Sequence, residues 1–198
     1  MIRHLVAMAK APRIRRVKTR LGNDIGYVKS WRFYRLMLSQ VLGPLARDRR
    51  WKMRLAVTPD RTLRCDRIWP IRTQRLAQGR GDLGVRMRKV MAMMPPGPVV
   101  IIGADIPEIE PSHIRQAFRT LGACDVVFGP AEDGGYWLIG LRRRPALRDI
   151  FENVRWSTSH ALEDTKSNLP AHWRVALLEV LTDVDDGGTY SELIHRRV

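Results

Sequence analysis

Three observations predict an α/β fold with a largely parallel sheet. Short apolar runs alternate with longer amphipathic ones along the whole chain. Residues 98–104 (PVVIIGA) are apolar at consecutive positions, as in a strand covered on both faces. The 198 residues suit one domain with a sizeable core.

The elements follow in order. Residues 4–9 (HLVAMA) read as the first strand, and a basic loop runs from Lys10 to about Gly22. Trp31, Tyr34, Leu38, Val41, Leu42 and Leu45 recur at helical spacing, which predicts a long helix after Asp24 that Pro44 bends or ends. Residues 53–58 form a second strand, and 68–76 hold a weaker edge strand. Leu83, Met87, Val90, Met91 and Met94 mark a helix before the strand at 98–104. Ile114, Ala117, Phe118 and Leu121 mark another. Strands at 125–129 and 136–141 are joined through PAEDGG, and a helix near 158–168, a strand near 173–181 and a helix near 188–196 complete the chain.

Charge is the unusual part of the composition. There are 35 Lys and Arg against 20 Asp and Glu, a net charge of +15. Residues 1–99 hold 24 basic and 5 acidic groups, a net +19; residues 100–198 hold 11 and 15, a net −4. An anionic partner is expected, with phosphate and nucleic acid as the first candidates. No run approaches the ~20 apolar residues of a membrane span, and the opening apolar run is too short for a signal segment. Cys65 and Cys124 form no CxxC pair and read as reduced thiols of a cytoplasmic protein.

Ligands of such sheets bind beyond the carboxyl ends of the strands, so the residues that follow each strand are the functional candidates. After the first strand, Lys10, Arg13, Arg15, Arg16, Lys18 and Arg20 fall within eleven positions. Such a set can neutralise a di- or triphosphate, or it can be a solvated loop; it lacks the GxxxxGK[ST] of a P-loop. Asp105, after the strongest strand, suits Mg2+ or Mn2+ bridging to phosphates, or a turn before Pro107. Glu132 and Asp133 precede two glycines and two aromatics, and either carboxylate suits a general base or a hydroxyl acceptor; a hairpin with Tyr136 and Trp137 in the core is the plainer reading. Asp183, Asp185 and Asp186 follow the last strand and offer further metal ligands, or an acidic helix start. Gly79, Gly81 and Gly84 match GxGxxG, but the preceding RTQRLAQ is a poor buried strand and the match lies mid-chain, which argues against a dinucleotide site. The five histidines are scattered and read as structural or exposed.

Together these residues resemble a bacterial family of small candidate glycosyltransferases, the radical-SAM/selenodomain-associated transferase type, related to the GT-A nucleotide-diphospho-sugar transferases. The motifs are KAPR at 10–13, VKTRL at 17–21, QGRGDLGVRM at 78–87, IGADIP at 102–107, GPAEDGGYWLIGL at 129–141, RWST at 155–158 and DVD at 183–185. VKTRL also resembles the corresponding loop of phospholactate guanylyltransferases. The resemblance implies a single GT-A-like, Rossmann-like domain over residues 1–198, a mixed sheet with helices on both faces and a nucleotide site at the strand ends. One departure is Arg15, where the family has a glycine. The nucleotide-binding candidates are Lys10, Arg13, Lys18, Thr19, Arg20, Gly81 and Asp82; the catalytic candidates are Asp133, Lys18 and Arg20; the metal candidates are Asp105, Asp183 and Asp185.

Two reactions fit. The first is metal-dependent glycosyl transfer from a nucleotide-diphospho-sugar to an unknown small acceptor, with Mg2+ or Mn2+ as cofactor. The second is nucleotidyl transfer from an NTP to a small phosphorylated substrate. A nucleic-acid-binding protein is the reading from a different class. Its basic loop lacks interleaved aromatics, and no helix-turn-helix, RRM or zinc pattern appears.

Overall fold

A computed structural model describes residues 1–142 and 149–195. All seven strands join one sheet: β1 (His4–Lys10), β2 (Lys52–Thr58), β3 (Gln74–Ala77), β4 (Val99–Gly103), β5 (Val126–Pro130), β6 (Tyr136–Leu141) and β7 (Val175–Leu177). Their spatial order is β3-β2-β1-β4-β6-β5-β7. β6 runs antiparallel to both of its neighbours, and the other pairings are parallel. The expected mixed, mostly parallel α/β sheet is therefore present.

Six α-helices among the described residues flank it: α1 (Thr19–Ile25), α2 (Tyr27–Arg47), α3 (Leu83–Ala92), α4 (Pro111–Thr120), α5 (Ala161–Ser167) and α6 (Gly187–His195). The period-two alternation of the strands sends side chains to two cores. Leu5, Ala7 and Ala9 of β1 and Val100 and Ile102 of β4 pack with Tyr34, Leu38 and Leu42 of α2 and Ile114 and Phe118 of α4. Val6 and Ile101 point the other way, to Met87, Val90 and Met91 of α3, with Leu162 of α5 against the same cluster. β1 and β4 are apolar at consecutive positions because helices cover both faces.

The differences from the expected elements have local causes. The long helix expected after Asp24 is α2, and a further short helix, α1, occupies the end of the expected basic loop, which therefore stops at Lys18 rather than near Gly22; Gly26 (φ +88°) separates the two helices. Pro44 does not end α2, which continues to Arg47. A proline so close to a helix terminus removes only one of the last ladder bonds. The segment before the GxGxxG glycines forms the expected edge strand, β3, beside β2, though it is shorter than expected. Its weak apolar pattern reflects that edge position. Position 196 of the expected last helix lies outside the described residues. No helix among the described residues is long and apolar enough to cross a membrane.

Candidate functional site

The basic loop is held by one face of α2. The buried Tyr34 hydroxyl donates to Lys10 O at 3.0 Å and accepts from Lys10 N at 3.3 Å. Trp31 Nε1 donates to Pro12 O at 2.8 Å, and Ser30 Oγ donates to Lys18 O at 2.8 Å. Positions 30 and 31 each lie about one turn before position 34, so both anchors neighbour Tyr34 on the helix surface. Val17 is buried and acts as the loop's apolar anchor. Burial holds the Tyr34 phenol well above its ordinary pKa, so it remains a neutral donor. Arg13, Arg15 and Arg16 are exposed at the surface of the loop, and Thr19 and Arg20 are exposed on the first turn of α1. Arg15 has φ +61° and stacks its guanidinium 5.3 Å from the Tyr27 ring centroid.

The acidic half of the site arrives from the other end of the chain. An isolated parallel bridge between Ala131 and Leu181 carries the segment after β7 past the end of β5. Gly187 N donates to Asp24 Oδ2 at 2.8 Å, tying the start of α6 to α1. Between these ties, Asp183 and Asp185 meet the basic loop at Lys18. Its Nζ lies 2.5 Å from Asp183 Oδ1, 2.9 Å from Asp185 Oδ1 and 3.4 Å from the backbone oxygen of Asp105. The Lys18 side chain is only 4% exposed. Burial lowers its affinity for a proton, but Asp105, Asp183 and Asp185 outweigh that and hold the ammonium above the ordinary lysine value.

Asp105 keeps solvent contact through a cavity, yet protein surrounds it on most sides. That desolvation raises its carboxyl above the ordinary range against the pull of Lys18 and Lys10. Burial, opposed by Lys18 and reinforced by Asp105 and Asp185, pushes Asp183 up to about 6. Both directions have one origin. A single ammonium among three carboxylates leaves the cluster formally two negative charges in excess.

A cavity of about 340 Å³ opens beside the cluster, at the carboxyl end of β4. Asp105, Asp133 and Asp183 line its polar side; Met8, Met87, Ile101, Tyr136, Trp137 and Trp156 line its apolar side. The aromatics expected in the core are both core and wall. Trp137 is buried, with Nε1 donating to Glu179 O, and Tyr136 donates to or accepts from Thr165 Oγ1. Asp133 is exposed, and its Oδ1 accepts from Gly135 N at 2.9 Å, which fixes the carboxylate in the turn. Gly134 is required there: φ is +81°, and a Cβ would meet Ser159 O at 2.2 Å.

The structure thus brings Lys18, Asp105, Asp183 and Asp185 together and sets Asp133 on the same cavity. Lys10 is close enough to Asp105 to act on its charge. Arg20 acts on Asp186, whose carboxyl is held low first by the Thr189 amide and hydroxyl. Gly81 and Asp82 have local roles. Gly81 takes φ +112° in the turn before α3, and Asp82 caps that helix by accepting from Val85 N at 2.8 Å. The loop anchors Ser30, Trp31 and Tyr34 were not among the expected site residues. Helical spacing reads Trp31 and Tyr34 as core, and the only signal of more is a polar atom on each.

The donor set can be tested for a metal. Among the described residues, no three His, Cys, Asp or Glu side chains are arranged to hold a metal by themselves. The oxygens of Asp183 and Asp185 nevertheless converge on one cation, the Lys18 ammonium. The hard oxygen donors and the negative excess fit a divalent ion of the Mg2+ type, which needs only one or two carboxylates when phosphate and water complete its shell.

The profile of a family described as "Uncharacterized protein conserved in bacteria (DUF2064)" matches residues 41–158. No functionally curated protein matches the sequence. Among solved structures, the chain is similar to a candidate nucleotide-diphospho-sugar transferase from Desulfovibrio desulfuricans G20 (29% identity, TM-score 0.92, covering 100% of this chain and 88% of that one). It shares its fold with a CMP:2-keto-3-deoxy-manno-octonic acid synthetase solved with CTP (13%, TM-score 0.63, 100% of both chains). The same holds for a protein of Mycobacterium tuberculosis H37Rv solved with manganese (16%, TM-score 0.60, 98% and 99%). Across more than half of its length, from the middle of α2 to the loop before α5, the chain matches one bacterial family, and it belongs to DUF2064.

Proposed function

We propose that the protein is a transferase that moves a glycosyl group from a nucleotide-diphospho-sugar to a small acceptor, with Mg2+ or Mn2+ at Asp105, Asp183 and Asp185. One observation carries the reading: a basic loop from near the amino end, Asp105 from mid-chain and Asp183 and Asp185 from near the carboxyl end meet beside a cavity at the carboxyl end of β4. The likeness to the Desulfovibrio protein supports it. The manganese-bound fold neighbour supports the choice of a divalent ion.

Lys10, Arg13, Lys18, Thr19 and Arg20 bind the diphosphate in this reading, and Lys18 and Arg20 offset the charge that builds on it as the glycosyl bond breaks. A bound divalent ion supplies further neutralisation of the leaving diphosphate. Asp133 faces the acceptor and accepts its hydroxyl proton or orients the hydroxyl. Gly81 and Asp82 shape the β3–α3 turn that borders the nucleotide.

The density of cations on the loop favours a second reading, transfer of a nucleotidyl group from an NTP with pyrophosphate as leaving group. Thermal shifts separate the two. Stabilisation by UDP- or GDP-sugars that needs Mn2+, and that disappears in Asp105→Ala, is expected. Stabilisation by NTPs alone selects the second reading, and no shift with any nucleotide removes both.

A further inference from the structure

We propose that Lys18 is a cation latch: its ammonium occupies the meeting point of Asp183 and Asp185 until a nucleoside diphosphate draws it away, so that the divalent ion enters with the nucleotide and not before it. This rests on the site reading above and adds an order of binding to it.

The geometry supports a latch rather than a permanent strut. The ammonium is the cation on which both carboxylates converge, at 2.5 and 2.9 Å. A divalent ion bound to the same oxygens would stand within a few ångströms of it, and two like charges so close oppose each other strongly in a partly desolvated site. One of the two must move.

Lys18 is built to move only its side chain. Its backbone is held by Ser30 Oγ on its carbonyl oxygen, and it takes φ +43° at the start of α1. With the backbone fixed, the latch requires a change of rotamer that takes the ammonium from the carboxylates to the phosphates. Arg13 on the loop and Arg20 at the start of α1, both exposed, are among the other expected phosphate contacts. Phosphate oxygens offer Lys18 a replacement for the carboxylates it leaves. The freed carboxylates then have the negative excess that a divalent ion offsets. Nucleotide and metal each remove the obstacle to the other, which is positive coupling between the two ligands.

Water-proton relaxation enhancement separates protein-bound Mn2+ from Mn2+ on free nucleotide, and it requires no turnover. In the unsubstituted chain, UDP or GDP is expected to tighten Mn2+ binding at least tenfold. In Lys18→Met, Mn2+ alone is expected to bind at least tenfold more tightly than to the unsubstituted chain, and added nucleotide to tighten it less. Mn2+ affinity in Lys18→Met no greater than in the unsubstituted chain, with nucleotide coupling intact in the latter, overturns the latch and leaves the site reading standing. If Lys18→Met does not fold, the unsubstituted chain still decides: equal Mn2+ affinity with and without UDP or GDP overturns the latch. An unsubstituted chain that binds neither Mn2+ nor nucleotide overturns the site reading and the latch together.

Discussion

Arg15 is where a sequence departure becomes a backbone property. Its φ of +61° is the left-handed region that glycine enters freely and that costs other residues about 1 kcal/mol. The glycine that the resemblance implies at this position thus has a conformational reason. Arg15 recovers part of the cost by stacking on Tyr27. Arg15→Gly is expected to change stability by less than about 1 kcal/mol, while Arg15→Ala, which keeps the strain and loses the stacking, destabilises by about 0.5–1 kcal/mol. Urea denaturation of the two variants checks the order. Tyr34 is the second such position. Tyr34→Phe leaves the ring in the core but removes the hydroxyl that bonds both backbone groups of Lys10, and a loss of about 1–2 kcal/mol is expected by the same measurement.

Whole elements are set by their ends as much as by their faces. α5 is short, and its position is fixed from outside by Arg155. The Arg155 guanidinium and backbone amide both donate to Asp164, at 2.8 to 2.9 Å. These bonds, the side-chain one first, lower the Asp164 carboxyl from 3.8 to about 2. A carboxyl depressed in the folded state contributes stability that is fully present above its ordinary value and is lost as pH falls through its folded value. The contribution is therefore expected to fade between about pH 4 and pH 2. Acid unfolding of Asp164→Asn should show a shallower fall over that interval than the unsubstituted chain. α2 illustrates the same principle differently: one face fills the core with Leu38, Leu42 and Leu45, while Ser30, Trp31 and Tyr34 at its start hold the basic loop.

Taken as a whole, the molecule places its strongest strands at the centre and its chemistry at their ends. β4 lies between β1 and β6, and Ile102 is fully buried against the α2–α4 layer. Ile102→Ala is expected to lower the stability of the fold by about 2–5 kcal/mol, read as a shifted denaturation midpoint with an unchanged slope. Charge is arranged at the same level. The basic amino-terminal half and the more acidic carboxyl-terminal half meet at the Lys18 cluster and at the tie between Asp24 and Gly187. Much of the remaining excess, including Arg49 and Arg50 beside Asp48, lies on the surface away from that cluster.

Strand and helix identities were legible because the periods of two and near four in apolar residues are local consequences of backbone geometry. Both central strands, the helix at 83–94 and the α/β class follow from such patterns, as do the strand-end positions of Lys18, Asp105 and Asp133. Gly26 separates α1 from α2 through a backbone angle that no apolar period records. β3 had a weak pattern because an edge strand has less to bury. The ion pair of Lys18 with Asp183 and Asp185 spans 165 and 167 positions, and no spacing rule reaches that far. Local patterning therefore sufficed for the elements and for the chemical types available at their ends. Which carboxylates face which cation depended on how the sheet brings the two ends of the chain together, because electrostatic contact is set by distance in space and not by separation in sequence.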